Sequence, residues 1–423
     1  MLGRPMSIEL FFPNPESQQR VRDGPLADDI EAFAAWLAVE GYACFTAKQK
    51  LRFAADLSRW IESRELVVED LDHERVEAFQ SARDPQRQRR GDATTARQLL
   101  DLLRDSGRIP PPRSDPPGDD PLERIARTYE RFLLDERGAK PATLANYLPT
   151  VRAFLADRFG TRDIALESLS AQDANQFILR EAQRLGRPRA KLVGTILRSF
   201  LRHLHQRGAT PADLAGAIPP VVNWSLAGLP KSLKPDEVGS ILSGCDRSTV
   251  AGRRDYAILL LLARLGLRGG EAAALTLDDF DWDAGIVTVP GKGQRREPLP
   301  VPCDVGEAVA DYLRNGRPSA CPTRRVFVRL NAPHRGFAST VAIDCVVRRA
   351  LARAHLDPPF KGAHLLRHSL ATGMLRNGAT LEDIGQILRH RHPETTQIYA
   401  KLDLEALRTV APPWPGGAAC RIS

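Results

Sequence analysis

His364-Leu365-Leu366-Arg367-His368 opens a stretch that runs on through Leu388-Arg389-His390 to Thr395-Thr396-Gln397-Ile398-Tyr399. Apolar spacing predicts a helix over about 364–377 and another over about 381–388, which sets the first motif at a helix start and the second at a helix end. Working outward, Gly266-Leu267-Arg268-Gly269-Gly270-Glu271 places an arginine at a helix–helix junction between glycines, with helices read over 255–265 and 270–275. Lys292 lies between Gly291 and Gly293, at the tip of a hairpin whose strands are read at 286–289 and 297–301. A third strand is predicted at 326–328, and a helix over about 338–355.

Each piece alone has an ordinary explanation. Arg268 suits a surface ion pair, Lys292 a turn and Tyr399 a core. His364 and His368 sit one helical turn apart, as zinc ligands do. Neither an H-E-x-x-H carboxylate nor a nearby cysteine completes such a site, so no metal and no cofactor are expected. Together the pieces meet one chemical demand. Cutting DNA without a metal needs a nucleophile, charge neutralisation at the non-bridging phosphate oxygens and an acid for the leaving oxygen. Two guanidiniums supply fixed, bidentate donors. A lysine or histidine can protonate the departing hydroxyl. A tyrosine can form a phosphodiester that stores the energy for rejoining.

Composition agrees with such a partner. The 423 residues suit several domains, and 43% hydrophobic content supports real cores. The net charge of +8 favours an anionic partner. Cys44, Cys245, Cys303, Cys321, Cys345 and Cys420 form no C-x-x-C pair, which argues against a disulfide framework. The N-terminus lacks a signal-peptide core and no apolar run is long enough to span a membrane, so cytoplasmic residence is expected.

Two Pro-rich stretches divide the chain. They set apart a tail at 1–24, a helical domain at 25–108, a linker at 109–121, a second helical domain at 122–215, a linker at 216–232, a third domain at 233–403 and a tail at 404–423. The two helical domains share an order of features. Phe33 and Trp36 in one match Tyr129 and Phe132 in the other, Leu71-Val76-Phe79 matches Leu169-Ala174-Phe177, and each ends near a glycine, Gly107 or Gly208. Basic residues recur at the same place: Arg83, Arg87, Arg89, Arg90 and Arg97 in the first, and Arg180, Arg184, Arg187, Arg189, Lys191, Arg198, Arg202 and Arg207 in the second. A charge run is usually a solvated face, but a recurring cluster reads better as a phosphate-contacting surface.

Over about 233–403 the four motifs resemble the catalytic set of the tyrosine recombinase (phage integrase) family. That family shows G-L-R-x-x-E, a hairpin G-K-G, H-x-L-R-H, L-G-H, and a tyrosine nine residues after the last histidine, a spacing that His390 and Tyr399 keep. The resemblance implies a multidomain, mainly α fold, with N-terminal helical (SAM-like) DNA-binding domains and a mixed α/β catalytic domain carrying a small antiparallel sheet. It implies that Arg268 and Arg367 clamp the scissile phosphate, that Lys292 protonates the 5′ hydroxyl, and that His364 assists proton transfer. His390 would hydrogen-bond the phosphate, Glu271 would support the Arg268 loop, and His368 the second-arginine motif. Tyr399 would attack and form a 3′-phosphotyrosyl bond. The partners implied are double-stranded DNA with inverted-repeat sites and further copies of the chain, as a tetramer exchanging the tail after Tyr399, where Leu402, Leu404, Leu407 and Val410 form an apolar stripe. One departure stands out: Arg389 occupies the place of the family's usual glycine, where it would disturb the helix end or add a DNA contact.

The extra helical domain favours an integrase or transposase of a mobile element over a recombinase that resolves chromosome dimers. A type IB topoisomerase uses the same nucleophile, and a DNA-binding accessory protein descended from a recombinase would share the fold. A covalent protein–DNA adduct separates enzyme from accessory protein, since binding alone needs no Tyr399.

Overall fold

The run Ala257 to Leu262 has no polar face, so as a helix it must be covered on all sides. In the computed structural model, which describes residues 8–111, 120–160, 164–220, 231–290, 296–319, 321–390 and 392–402, these six residues lie in the helix Val250–Arg264 and are at most 1% exposed. Thr249 starts that helix, its hydroxyl accepting the Gly252 amide at 3.0 Å, which satisfies a donor that helix starts leave free. The helices Pro235–Ser243, Cys303–Asn315, Thr340–Arg353 and Ala363–Arg376 pack around it. The first two of these have no counterpart in the sequence reading.

A three-stranded antiparallel sheet lies beside this core. Ile286–Pro290 is the central strand, paired with Arg296–Pro300, Val287 opposite Leu299 and Pro290 opposite Arg296, and on its other side with Phe280–Asp281. Val287 and Val289 alternate inward. The strand expected at 326–328 is not part of the sheet. Val326, Phe327 and Val328 are all fully buried, and the Val326 amide donates to the Leu275 carbonyl at 2.9 Å. Their pairing is limited to single bridges, Thr276 with Arg325 and Val328 with Gly336. A short apolar run reads as a strand by composition, but composition does not supply the backbone partners that a continuous ladder needs.

By internal contacts the chain forms two units, residues 1–110 with 228–423, and residues 111–227. Within the first, Arg335 reaches Glu40 at 3.3 Å and the His334 amide donates to the Glu40 carbonyl at 3.4 Å. Its N-terminal part holds the helices Ala27–Val39, Cys44–Ser63, His73–Ala82 and Asp92–Asp105. The second unit holds Pro121–Arg131, Pro141–Phe159, Ala171–Leu185 and Arg187–Gln206. Their internal geometry matches pair by pair. Phe33 stacks on Trp36 at 5.7 Å, as Tyr129 stacks on Phe132 at 6.0 Å. Phe53 meets Phe79 edge-on at 5.4 Å and 75°, as Phe154 meets Phe177 at 5.5 Å and 70°. Gly107 and Gly208 each follow the last helix at φ +71°, the left-handed turn that glycine allows at a helix stop. No helix among the described residues is long and apolar enough to cross a membrane.

Candidate active site

The site is assembled around Gly266. Its φ of +57° suits a residue without a side chain, and a Cβ there would lie 2.7 Å from Leu388 Cδ2 and 3.0 Å from Leu370 Cδ2. The Gly266 carbonyl accepts from Arg367 Nη1, and Arg367 Nη2 donates to the Leu388 carbonyl. Three segments far apart in sequence therefore meet at one guanidinium. Arg367, on the helix Ala363–Arg376, is 3% exposed. Burial and the neighbouring Arg268 push its pKa down to about 10, so it stays charged at neutral pH. Two of its five N–H donors face carbonyls, which leaves donors for a phosphate.

Arg268 caps the helix Gly269–Ala274. Its amide donates to Glu271 Oε2 at 2.8 Å and its Nη1 to Oε1 at 2.6 Å, leaving a side chain 38% exposed over a carboxylate only 7% exposed. Burial raises the Glu271 pKa, but the Arg268 amide and the Arg389 and Arg268 guanidiniums outweigh it and hold the carboxylate below its usual range. Glu271 thus bonds both the amide and the guanidinium of Arg268.

Arg389 leaves the helix end intact. It adopts φ +55° just beyond Leu381–Ile387. Its amide donates to the Gln386 carbonyl at 3.0 Å and the His390 amide to the Gly385 carbonyl at 2.9 Å, a Schellman closure that normally employs glycine. A left-handed arginine costs roughly 1–2 kcal/mol. Its side chain turns inward, 6% exposed, and Nη2 meets Glu271 Oε2 at 2.8 Å. Sequence alone offered a DNA contact or a disturbed helix. The structure shows an internal ion pair.

His390 Nδ1 lies 2.7 Å from the buried Thr396 hydroxyl, so Nε2 is the nitrogen left for a ligand. Burial, with Arg367 and Arg268, brings its pKa down to about 4. Tyr399, in the short helix Gln397–Leu402, is 1% exposed, and its hydroxyl lies 2.7 Å from His368 Nδ1. Burial pushes the tyrosine up to about 12, while burial, His364 and Arg367 bring His368 down to about 4. The phenol is therefore the donor and the neutral imidazole the acceptor. His368, expected only to support the Arg367 motif, in fact meets the Tyr399 hydroxyl. His364, one turn earlier, is held below the usual imidazole range by the protein packed round it and by Arg367 and Arg268. Lys292 lies outside the described residues, as does the tail beyond Leu402. The sequence marks no role for Thr396. Its only signal was its position between His390 and Tyr399.

The basic residues of the helical units divide by partner. Arg180 pairs with Asp157, Arg184 with Glu181 at 3.1 Å and Arg207 with Glu136 at 2.5 Å. Arg198 donates to the Pro219 carbonyl at 3.1 Å, and Arg189 to the Thr150 hydroxyl at 3.5 Å. Lys191 and Arg202 are exposed without an ion pair among the described residues. In the N-terminal part Arg89 and Arg90 are exposed, and Arg89 joins Arg20, Arg52 and Arg59 round a hollow of about 510 Å³. The side chains of Arg87 and Arg187 lie outside the described residues. Arg83 is a correction: it is held between Asp92 at 2.5 Å and Asp56 at 3.2 Å and lies over Phe53, so it ties helices together instead of facing a phosphate.

Among the described residues no cluster of His, Cys, Asp and Glu is arranged to hold a metal ion. What converges is a hydroxyl beside an imidazole acceptor, with fixed guanidiniums close by, the donor set that an anionic, oxygen-rich centre calls for.

Comparison with known proteins agrees with this chemistry. The model of the phage integrase family matches residues 231–405. The putative integrase/recombinase y4rA of Sinorhizobium fredii (strain NGR234) is 44% identical over 409 residues, spanning 96% of this chain and 99% of its own length. The tyrosine recombinase XerD of Listeria monocytogenes serovar 1/2a (strain EGD-e) is 31% identical over 299 residues, 68% of this chain and 97% of its own. Among solved structures, the XerH site-specific recombinase in its post-cleavage complex with palindromic difH DNA shares the fold at a TM-score of 0.54 and 19% identity, across 68% of this chain and 84% of that one.

Proposed function

The chain belongs to the phage integrase family of tyrosine recombinases and is a site-specific recombinase, and we propose that it integrates or transposes a mobile DNA element through a 3′-phosphotyrosyl bond at Tyr399. The observation that carries the chemistry is the Tyr399 hydroxyl, 2.7 Å from an imidazole on the same helix as the buried Arg367. In the cleavage step the tyrosine oxygen bonds to phosphorus and the bond to the 5′ oxygen breaks. The phenol proton passes to His368, and the leaving 5′ oxygen takes a proton from Lys292. Arg268 and Arg367 hold the non-bridging oxygens, with His390 donating through Nε2 and His364 assisting proton transfer. Rejoining runs the same steps backward, with a 5′ hydroxyl of the partner strand as nucleophile.

The mobile-element role is supported by the reach of the relatives. An integrase/recombinase matches nearly the whole chain, whereas the XerD recombinase leaves about a third of it unmatched. Residues 25–108 are read as a second copy of the helical DNA-gripping domain at 122–215, on the strength of their matching aromatic pairs. Both would lie against phosphates of inverted-repeat sites, through Lys191 and Arg202 in one and Arg89 and Arg90 in the other. A tetramer on paired sites, linked by the tail 404–423, completes this reading of a cytoplasmic enzyme.

The test is trapping on nicked suicide DNA carrying candidate element ends from the sequence flanking the gene. A covalent adduct should form with the intact chain and disappear in Tyr399→Phe, which should still bind the same DNA. An adduct that persists in Tyr399→Phe overturns the nucleophile. Cleavage confined to a chromosomal dimer-resolution site overturns the mobile-element role.

A further inference from the structure

We propose that Arg389 is a positioning residue for strand cleavage, which occupies Glu271 Oε2 so that Glu271 cannot capture the whole Arg268 guanidinium. A carboxylate and a guanidinium left alone favour a two-point pairing through both oxygens. That arrangement would turn a second edge of Arg268 toward Glu271 and away from a phosphate. In the structure the Arg268 side chain holds Glu271 at one point only, Nη1 to Oε1 at 2.6 Å. The other oxygen is filled by the Arg268 amide and by Arg389 Nη2, each at 2.8 Å. The Nε and Nη2 donors of Arg268 are thereby kept for a ligand, on a side chain 38% exposed.

Three further observations favour this role over a direct DNA contact. The Arg389 side chain is 6% exposed, hence poorly placed to meet DNA. Its Nη1 also approaches the Leu265 carbonyl at 3.4 Å, which fixes the guanidinium against the segment that leads into Arg268. Its Nε lies 3.9 Å from Glu297, on the strand that follows the connection bearing Lys292. The backbone points the same way. A non-glycine residue at φ +55° persists where its surroundings over-determine it, and here the side chain supplies that surrounding bond.

The inference rests on the assignment of Arg268 as a phosphate clamp, so the experiment includes Arg268→Ala. The full-length chain is measured in single-turnover cleavage of a nicked half-site, alongside half-site affinity at several salt concentrations. Arg389→Gly, which suits the backbone, should slow cleavage by about 10- to 100-fold, less than or comparable to loss of a donor to the developing charge, with affinity and salt slope unchanged. Arg389→Lys, which can still fill one oxygen, should recover most of that loss. In a Glu271→Gln background, Arg389→Gly should change the rate by less than about 2-fold, because coupled residues are not additive. Wild-type cleavage by Arg389→Gly beside an impaired Arg268→Ala overturns the positioning role alone. A salt slope lowered by about 0.9 makes Arg389 a direct phosphate contact and overturns it as well. Normal cleavage by Arg268→Ala overturns the clamp assignment itself.

Discussion

Replacing His368 with asparagine separates two roles that its contact with Tyr399 combines. The asparagine amide oxygen can accept the phenol hydrogen bond, but it cannot take the proton. With the tyrosine up at about 12 and the histidine down at about 4, moving the proton across their 2.7 Å bond is on the order of 10 kcal/mol uphill before DNA arrives. The neutral pair therefore dominates at rest, and transfer accompanies attack on phosphorus. A positioned base contributes about 10²- to 10⁴-fold, so His368→Asn should slow single-turnover cleavage by about 10²-fold or more. Because the hydrogen bond is kept, its unfolding free energy should fall by less than about 1 kcal/mol. His368→Ala should slow cleavage similarly. It also leaves the hydroxyl of a tyrosine only 1% exposed without this partner, a loss of about 1–3 kcal/mol. The assays are adduct formation on nicked DNA and urea unfolding of the same variants. Cleavage by His368→Asn within about 3-fold of the natural chain would refute the proton-acceptor role and leave His368 as a tether for the tyrosine.

Gly266→Ala forces a Cβ into Leu388 and Leu370 at a left-handed position. It should cost about 1–3 kcal/mol in urea unfolding and slow cleavage, whereas an unchanged rate and midpoint would mean that the Gly266 junction is not needed. Stability should fall on acidification from pH 6.5 toward 4. His368 and His390 take up protons in the unfolded chain near pH 6.5 but only near 4 in the folded one, so the unfolded state binds more protons across that window. Each contributes at most about 3 kcal/mol, and a melting temperature flat from pH 7 to 5 contradicts the burial of both rings. Lys191→Ala and Arg202→Ala should each lower the salt slope of half-site binding by about 0.9. Arg184→Ala should move it less, because Glu181 already shares that charge; equal slopes for all three would argue against the partner-based sorting.

The order and spacing of the four motifs were legible because the described ones fall at helix ends, where a few residues fix the backbone. The two paired strands and the helices that start just after Arg268 and just before Arg367 follow from local pattern alone. What escaped depended on contacts distant in sequence. The run 326–328 is as apolar as a strand, and only its pairing partners at Leu275 and Gly336 show otherwise. Arg83 looked like one more member of a basic cluster until Asp56, 27 residues earlier, closed over it. Arg389 could be recognised as unusual from its neighbours, yet its direction depends on a positive φ that no spacing rule reveals. His368 needed the return of the chain at Tyr399 to show which group its ring meets.

Tyr399 does not belong to the large core round Val250–Arg264. It packs in a small cluster with Ala371, Ile384 and Leu388, so its release needs no breach of the main fold. An aromatic side chain burying roughly 200 Å² is held by about 5 kcal/mol. At that strength only about one molecule in several thousand has this side chain loose at any moment, a local opening of the kind proteins show well below global unfolding. The Tyr399 hydroxyl thus stays against His368 in all but a small fraction of molecules, and the donor–acceptor pair is set before any ligand arrives.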